Sequence, residues 1–178
     1  AITDAKFWNA LKQHEPTSLS GVPYSFEILK KLRIFRMKMP NLQFINEGGG
    51  KLSPELYDEC IRFSRANGAK FIPTYGQTEG SSRMAFLDSE MAVIKKGSIG
   101  KAIPRGTLSI INEQGVESFD GEAEGEMIFR GPSVTLGYAN HLKDLNLSDE
   151  RLGVLYTGDL AKRDVDGYYF ITGRKSRF

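Results

Sequence analysis

A chain of 178 residues, 40% of them hydrophobic, is long enough for one sizeable core or two small ones and shows neither disorder nor an internal repeat. Its 24 Lys and Arg against 22 Asp and Glu leave a formal charge of +2, too balanced to argue for nucleic acid or a membrane surface as partner. A single cysteine, Cys60, excludes an internal disulfide, and with only His14 and His141 beside it no zinc set exists, so the cytoplasm is the expected location.

No hydrophobic run approaches the ~20 residues of a membrane-spanning helix, and no leader-like start is present. Thr3 is expected to cap a first helix carrying Phe7, Trp8 and Leu11, with a turn-rich connection over residues 16–23. Over residues 25–39, the spacing of Ile28, Leu32, Phe35 and Met39 predicts one helical face, stopped by Pro40. The opposite face carries Lys30, Lys31, Arg33, Arg36 and Lys38, as an ordinary solvated helix face does. Residues 42–46 read as a short strand running into Glu47-Gly48-Gly49-Gly50-Lys51. A helix then opens at Ser53 with Pro54 in its first turn, buries Leu56, Cys60 and Phe63 on one face, and ends at Asn67-Gly68. A further strand over residues 70–74 leads to a loop at Tyr75-Gly76. Strands joined through a helix predict a parallel sheet, with ligand loops at the strands' carboxyl ends.

After residue 97 the period changes to two: Leu108 and Ile110, then Met127 and Phe129, alternate with more polar neighbours. Asp164-Val165-Asp166-Gly167 is a hairpin signal between two further strands. The expected fold is therefore α/β: a parallel α/β portion over residues 1–92, then a small antiparallel β-sheet or distorted barrel over residues 93–178.

The segment Tyr75-Gly76-Gln77-Thr78-Glu79-Gly80 has residue types suited to attack of a carboxylate on the α-phosphate of ATP. Glu79 is a candidate magnesium ligand, Thr78 a hydroxyl donor to phosphate, Gly76 a point of close backbone approach, and Tyr75 an aromatic face for adenine. The same residues also make an ordinary structural turn, and both readings stand at this point. Other chemistries lack their residues. There is no Gly-x-x-x-x-Gly-Lys-Ser/Thr, Gly48-Gly49-Gly50 does not complete a dinucleotide fingerprint because position 53 is serine, and the tyrosines form no regular stacking platform for single-stranded nucleic acid.

Four motifs in order resemble the adenylate-forming superfamily of acyl- and aryl-CoA ligases, luciferases and peptide-synthetase adenylation domains. They are the segment from Tyr75 to Gly80; Gly125-Glu126-Met127 with Arg130-Gly131-Pro132 and Gly137-Tyr138; Tyr156-Thr157-Gly158-Asp159; and Gly173-Arg174. The resemblance covers almost the whole chain and corresponds to the last part of that family's large amino-terminal domain. It implies that Gly49, Gly50 and Lys51 border the adenine and acyl pocket. Thr78 would bond the α-phosphate, Glu79 hold Mg2+, Asp159 accept from both ribose hydroxyls, and Arg174 reach ribose or phosphate.

By the same resemblance the parent enzyme joins a carboxylic acid to AMP from ATP and passes the acyl group to CoA. A carrier-protein thiol is the alternative acceptor. The family's Ser/Thr- and Gly-rich phosphate loop ending in Lys, and the domain after the hinge with its catalytic lysine, are not in this sequence. The chain alone is therefore expected to be inactive. Its start at Ala1 and stop at Phe178 lead to the expectation of a piece of a longer protein. At Ser176 and Arg177 the sequence departs from the Asp or Lys common at the family's hinge. The competing expectation is an independent, non-catalytic nucleotide-binding or interaction module with a closed apolar surface. A piece of a ligase would instead expose apolar area beside residues 42–46.

Overall fold

The structure is a computed structural model that describes residues 1–175. The hinge positions Ser176 and Arg177 lie outside the described residues. The chain divides into two units, Ala1–Thr74 with Leu87–Gly97, and Tyr75–Phe86 with Ser98–Phe178.

The first unit opens with α1 (Ala5–His14), capped by Asp4 rather than Thr3, the Asp4 carboxylate accepting from the Lys6 amide at 2.8 Å. Residues expected only to turn contain a strand, β1 (Ser18–Gly21). The helix expected over residues 25–39 is broken. It runs as α2 (Pro23–Lys31), turns at Arg33 in the left-handed region (φ 65°), and resumes as one 3-10 turn, Ile34–Arg36. The break rotates the apolar face: Phe26, Leu29, Ile34 and Met39 are buried, whereas Leu32 is exposed. β2 (Phe44–Glu47), α3 (Pro54–Ala66) and β3 (Lys70–Gln77) follow. The α3 boundaries are those the sequence predicts, with the Ser53 hydroxyl accepting from the Leu56 amide at 3.3 Å and Gly68 (φ 69°) beyond the Asn67 cap. Within the unit, β1 pairs parallel with β2, and β2 with β3. Leu56, Cys60 and Phe63 are buried on α3, and the Tyr57 and Phe71 rings meet edge to face at 5.1 Å. In β2, Phe44 is exposed while the next residue, Ile45, is buried, the alternation of a strand covered on one face.

The same alternation buries Glu47. It follows Ile45 by two residues and is 5% exposed, and its Oε1 has no hydrogen-bond partner among the described residues. Burial pushes its carboxyl up to about 7. The Cys60 thiol is pushed up to about 12, by burial first and then by the charges of Glu47 and Glu59, which makes it an inert core group.

The second unit contains β4 (Ser81–Phe86), β5 (Lys101–Ala102), β6 (Thr107–Ile111), β7 (Glu117–Ser118), β8 (Ala123–Arg130), β9 (Val154–Arg163) and β10 (Tyr169–Arg174). Among the described residues the strands pair in the order β1-β2-β3-β4-β5, a mixed sheet, and β10-β9-β8-β6-β7, an antiparallel one. The second is an open sheet, so the barrel alternative gives way to the sheet among the described residues. Leu108 pairs with Phe129 and Ile110 with Met127, and all four are buried with Met84, Leu155 and Tyr169 in one core. Full burial of each large apolar side chain contributes about 1.5–3 kcal/mol, so this register is strongly specified. The 164–167 hairpin closes as expected, with the Gly167 amide donating to the Asp164 carbonyl at 3.0 Å. Among the described residues no helix is long and apolar enough to cross a membrane.

Candidate functional site

The polar centre of the second unit forms where three chain segments meet: the end of β3, the middle of β9 and the end of β10. Tyr75-Gly76-Gln77, expected as a loop, is the last part of β3, and the turn is confined to residues 78–80 before β4. Gly76 has a packing reason to be glycine, because a Cβ there would stand 2.3 Å from the Ser81 carbonyl oxygen. In β9, the Thr157 hydroxyl donates to the Met127 carbonyl at 2.6 Å and accepts from the Asp159 amide at 3.1 Å. Gly158 between them has φ 71°, which aims the Asp159 carboxylate toward β3 and β10. Glu126 supports this bend from β8, accepting from the Gly158 amide at 3.3 Å and from Lys175 Nζ at 3.0 Å.

Asp159 is 9% exposed and is held from three sides. Its Oδ2 accepts from the Tyr75 hydroxyl at 2.5 Å and from Gln77 Nε2 at 2.8 Å, and its Oδ1 faces Arg174 Nε at 3.7 Å. Arg174 itself is largely exposed. Burial first, then the hydrogen bond to Asp159 and its charge, push the Tyr75 hydroxyl far up, so it remains a neutral donor at any physiological pH. Oδ2 thus carries two protein donors, whereas Oδ1 has the guanidinium beside it.

Glu79 belongs to a second group in the same unit. Its carboxylate accepts from the Tyr138 hydroxyl, and its backbone carbonyl accepts from the Thr135 amide at 2.8 Å. The Arg151 guanidinium stacks 4.6 Å from the centroid of the Tyr138 ring and donates to the Thr135 hydroxyl. An open cleft of about 250 Å3 is lined by Gln77, Glu79, Tyr138, Arg151, Leu155 and Tyr156. Thr78 is exposed on the turn beside it. Among the described residues no group of three His, Cys, Asp or Glu could hold a metal by itself. Glu79 nonetheless suits Mg2+ delivered with a nucleotide, since that ion takes one or two carboxylates and completes its shell with water and phosphate.

The structure thus brings Tyr75, Asp159 and Arg174 together, with Gly76 behind Tyr75 and Thr78 and Glu79 on the adjoining turn. Gly49, Gly50 and Lys51 belong to the first unit, where all three are exposed after β2 and Gly49 has φ 81°. Three contributors have no role assigned from sequence: Gln77 on Asp159, and Tyr138 and Arg151 around Glu79. Tyr138 carries a signal in the Gly137-Tyr138 motif, and Gln77 sits inside the first motif. Arg151 carries none.

The first unit is thus α/β, and the antiparallel second unit holds a buried Asp159 facing an exposed Arg174 beside a Thr-Glu turn. The model of the AMP-binding enzyme family matches residues 1–139, and the chain belongs to that family. Oxalate–CoA ligase of Arabidopsis thaliana is 31% identical over 171 residues, which cover 94% of this chain and 32% of that protein. 2-Succinylbenzoate–CoA ligase of Bacillus mycoides is 36% identical over 129 residues, 72% of this chain and 25% of that one. Among solved structures, O-succinylbenzoate coenzyme A synthetase of Bacillus subtilis, in complex with ATP and magnesium ion, matches with a TM-score of 0.76 and 26% identity over 98% of this chain and 34% of that one. The chain spans about a third or less of the length of the curated relatives it matches.

Proposed function

We propose that these residues are the nucleotide-handling part of an AMP-forming carboxylic acid–CoA ligase. In that reaction a carboxylate oxygen attacks the α-phosphorus of ATP and the bond to the β-phosphate bridging oxygen breaks. Pyrophosphate leaves, and a thiolate sulfur then attacks the acyl carbon and displaces AMP. The thiol is assigned to CoA because the relatives are CoA ligases, and a carrier-protein thiol is the other acceptor of the same chemistry. The observation that carries the reading is the Asp159 carboxylate fixed between Tyr75, Gln77 and Arg174.

In this scheme Asp159 accepts from the ribose through Oδ1, and Arg174 supplies a cationic fork to ribose or phosphate. Thr78 donates to the α-phosphate, and Tyr75 offers the edge and face of its ring to adenine. Glu79 holds Mg2+, which when bound neutralises charge on the phosphates. Gly49, Gly50 and Lys51 are assigned to the borders of the adenine and acyl groups on their motif alone. The 178 residues by themselves are expected to bind nucleotide with little turnover. Losing one preorganised contact to developing charge typically lowers rate by about 100- to 1000-fold, and the phosphate loop and the lysine implied by the family are absent from this sequence.

The test is acid-dependent exchange of labelled pyrophosphate into ATP by the natural gene product, with oxalate and 2-succinylbenzoate among the acids offered. Exchange that requires both an acid and Mg2+ supports the reading. Tight nucleotide binding without exchange for any carboxylic acid would instead favour a binding module.

A further inference from the structure

Glu79 alone would make the cleft of the second unit repel a polyphosphate, since both are anions. Arg151 changes that balance. It precedes β9, where its carbonyl accepts from the Val154 amide at 2.9 Å, and its guanidinium reaches the same cleft as the Glu79 carboxylate. Four residues lock its position in a closed circuit: Arg151 on the Tyr138 ring, Tyr138 to the Glu79 carboxylate, Glu79 through its carbonyl to Thr135, and Thr135 back to Arg151. A long cationic side chain is thereby held in one place by stacking and one hydrogen bond. Thr135 Oγ1 takes one of the five N–H donors that a guanidinium carries. A cleft of about 250 Å3 has room for about eight water-sized groups, so a diphosphate and its hydration fit inside.

A carboxylate and a guanidinium at one cleft present complementary halves to a metal–polyphosphate chelate. The carboxylate meets the cation, and the planar fork meets two non-bridging phosphate oxygens. We propose that Arg151 is a polyphosphate-binding residue that takes the phosphate oxygens of a di- or triphosphate whose divalent cation sits on Glu79. This rests on the nucleotide reading above and extends it to a residue outside every motif. It gives these residues a cation of their own for the charge on departing pyrophosphate.

The experiment is calorimetric titration of the 178-residue protein with two probes, inorganic pyrophosphate plus Mg2+ and AMP. Wild type, Arg151→Ala and Arg151→Lys are compared after circular dichroism has established that each is folded. Arg151→Ala is expected to lose about tenfold or more in affinity for magnesium pyrophosphate, the size of a lost charge-assisted contact, and less than about twofold for AMP. Arg151→Lys is expected to recover part of the loss, because it keeps the charge without the fork. Raising salt is expected to weaken pyrophosphate binding more steeply in wild type than in Arg151→Ala. Equal losses for both probes would mean that Arg151 only shapes the unit, and no loss for either would remove it from binding; both overturn the proposal. Wild type that binds AMP but not magnesium pyrophosphate overturns this proposal alone. Wild type that binds neither overturns the nucleotide reading as well.

Discussion

Glu47 in the first unit and Asp159 in the second are buried to a similar degree, 5% and 9% exposed, yet they are treated in opposite ways. Asp159 has two donors on one oxygen and a guanidinium beside the other. Among the described residues Glu47 has no partner on Oε1, and burial pushes its carboxyl up to about 7. The second unit repeats its pattern at Arg163, a 3% exposed cation that donates to the carbonyls of Gly121 at 2.6 Å and Ser118 at 3.0 Å and to the Ser118 hydroxyl at 2.7 Å. Burial therefore does not decide what an ionisable group does in this protein; its partners do. Satisfied groups in the second unit hold a fixed charge in position. The unsatisfied one in the first unit makes stability depend on pH.

The largest expected effect breaks the first half of that comparison. Folded Glu47 ionises at about 7 and an ordinary glutamate near 4.5, so unfolding releases a proton between those values. The stability of the first unit is then fully present below 4.5 and falls as pH rises to about 7, by about 3 kcal/mol. Glu47→Gln is expected to remove that slope, seen as urea midpoints that no longer fall between acid and neutral pH. An unchanged slope would mean the carboxyl finds a partner on ionising. Next in size, Arg163→Leu orphans acceptors in the second unit and is expected to cost about 2 kcal/mol in the same denaturation, with no dependence on pH over that window. The smallest effect is at Gly158, where φ is 71° and an added Cβ would meet nothing within 4 Å. Gly158→Ala should therefore register backbone strain alone, about 1 kcal/mol.

The same contrast separates what sequence made legible from what it hid. The Ser53-Pro54 start, the Asn67-Gly68 end and the pairing of Leu108 and Ile110 with Phe129 and Met127 are local patterns, and the structure has them where the patterns lie. The four-residue β1 has too few positions for a period to register, and its strand state comes from parallel pairing with β2. The break at Arg33 is set by which apolar side chains the core can take: Ile34 is fully buried, and a continuous helix would have directed Leu32 inward instead. At the candidate site, Tyr75, Asp159 and Arg174 lie in motifs that sequence displays, and the structure brings these three together. The circuit through Thr135, Tyr138 and Arg151 arises from contacts 56 to 72 positions away from Glu79 that no window of sequence contains, whereas the reason Gly76 must be glycine lies only five positions on, at Ser81, and shows once the turn brings β4 back against β3. Glu47 was visible as a residue but not as a buried acid, because its position two after Ile45 acquires meaning only once β2 is covered on that face.

The most direct test of the account is calorimetric titration of AMP into the wild-type protein and into Asp159→Asn. Asparagine keeps the shape but removes the charge that Arg174 faces and, with it, the strong acceptor proposed for a ribose hydroxyl. The wild type is expected to bind AMP measurably and the variant about tenfold more weakly, with the fold retained. Equal affinity in both proteins, or no binding by either, would contradict the assignment of this carboxylate to the nucleotide.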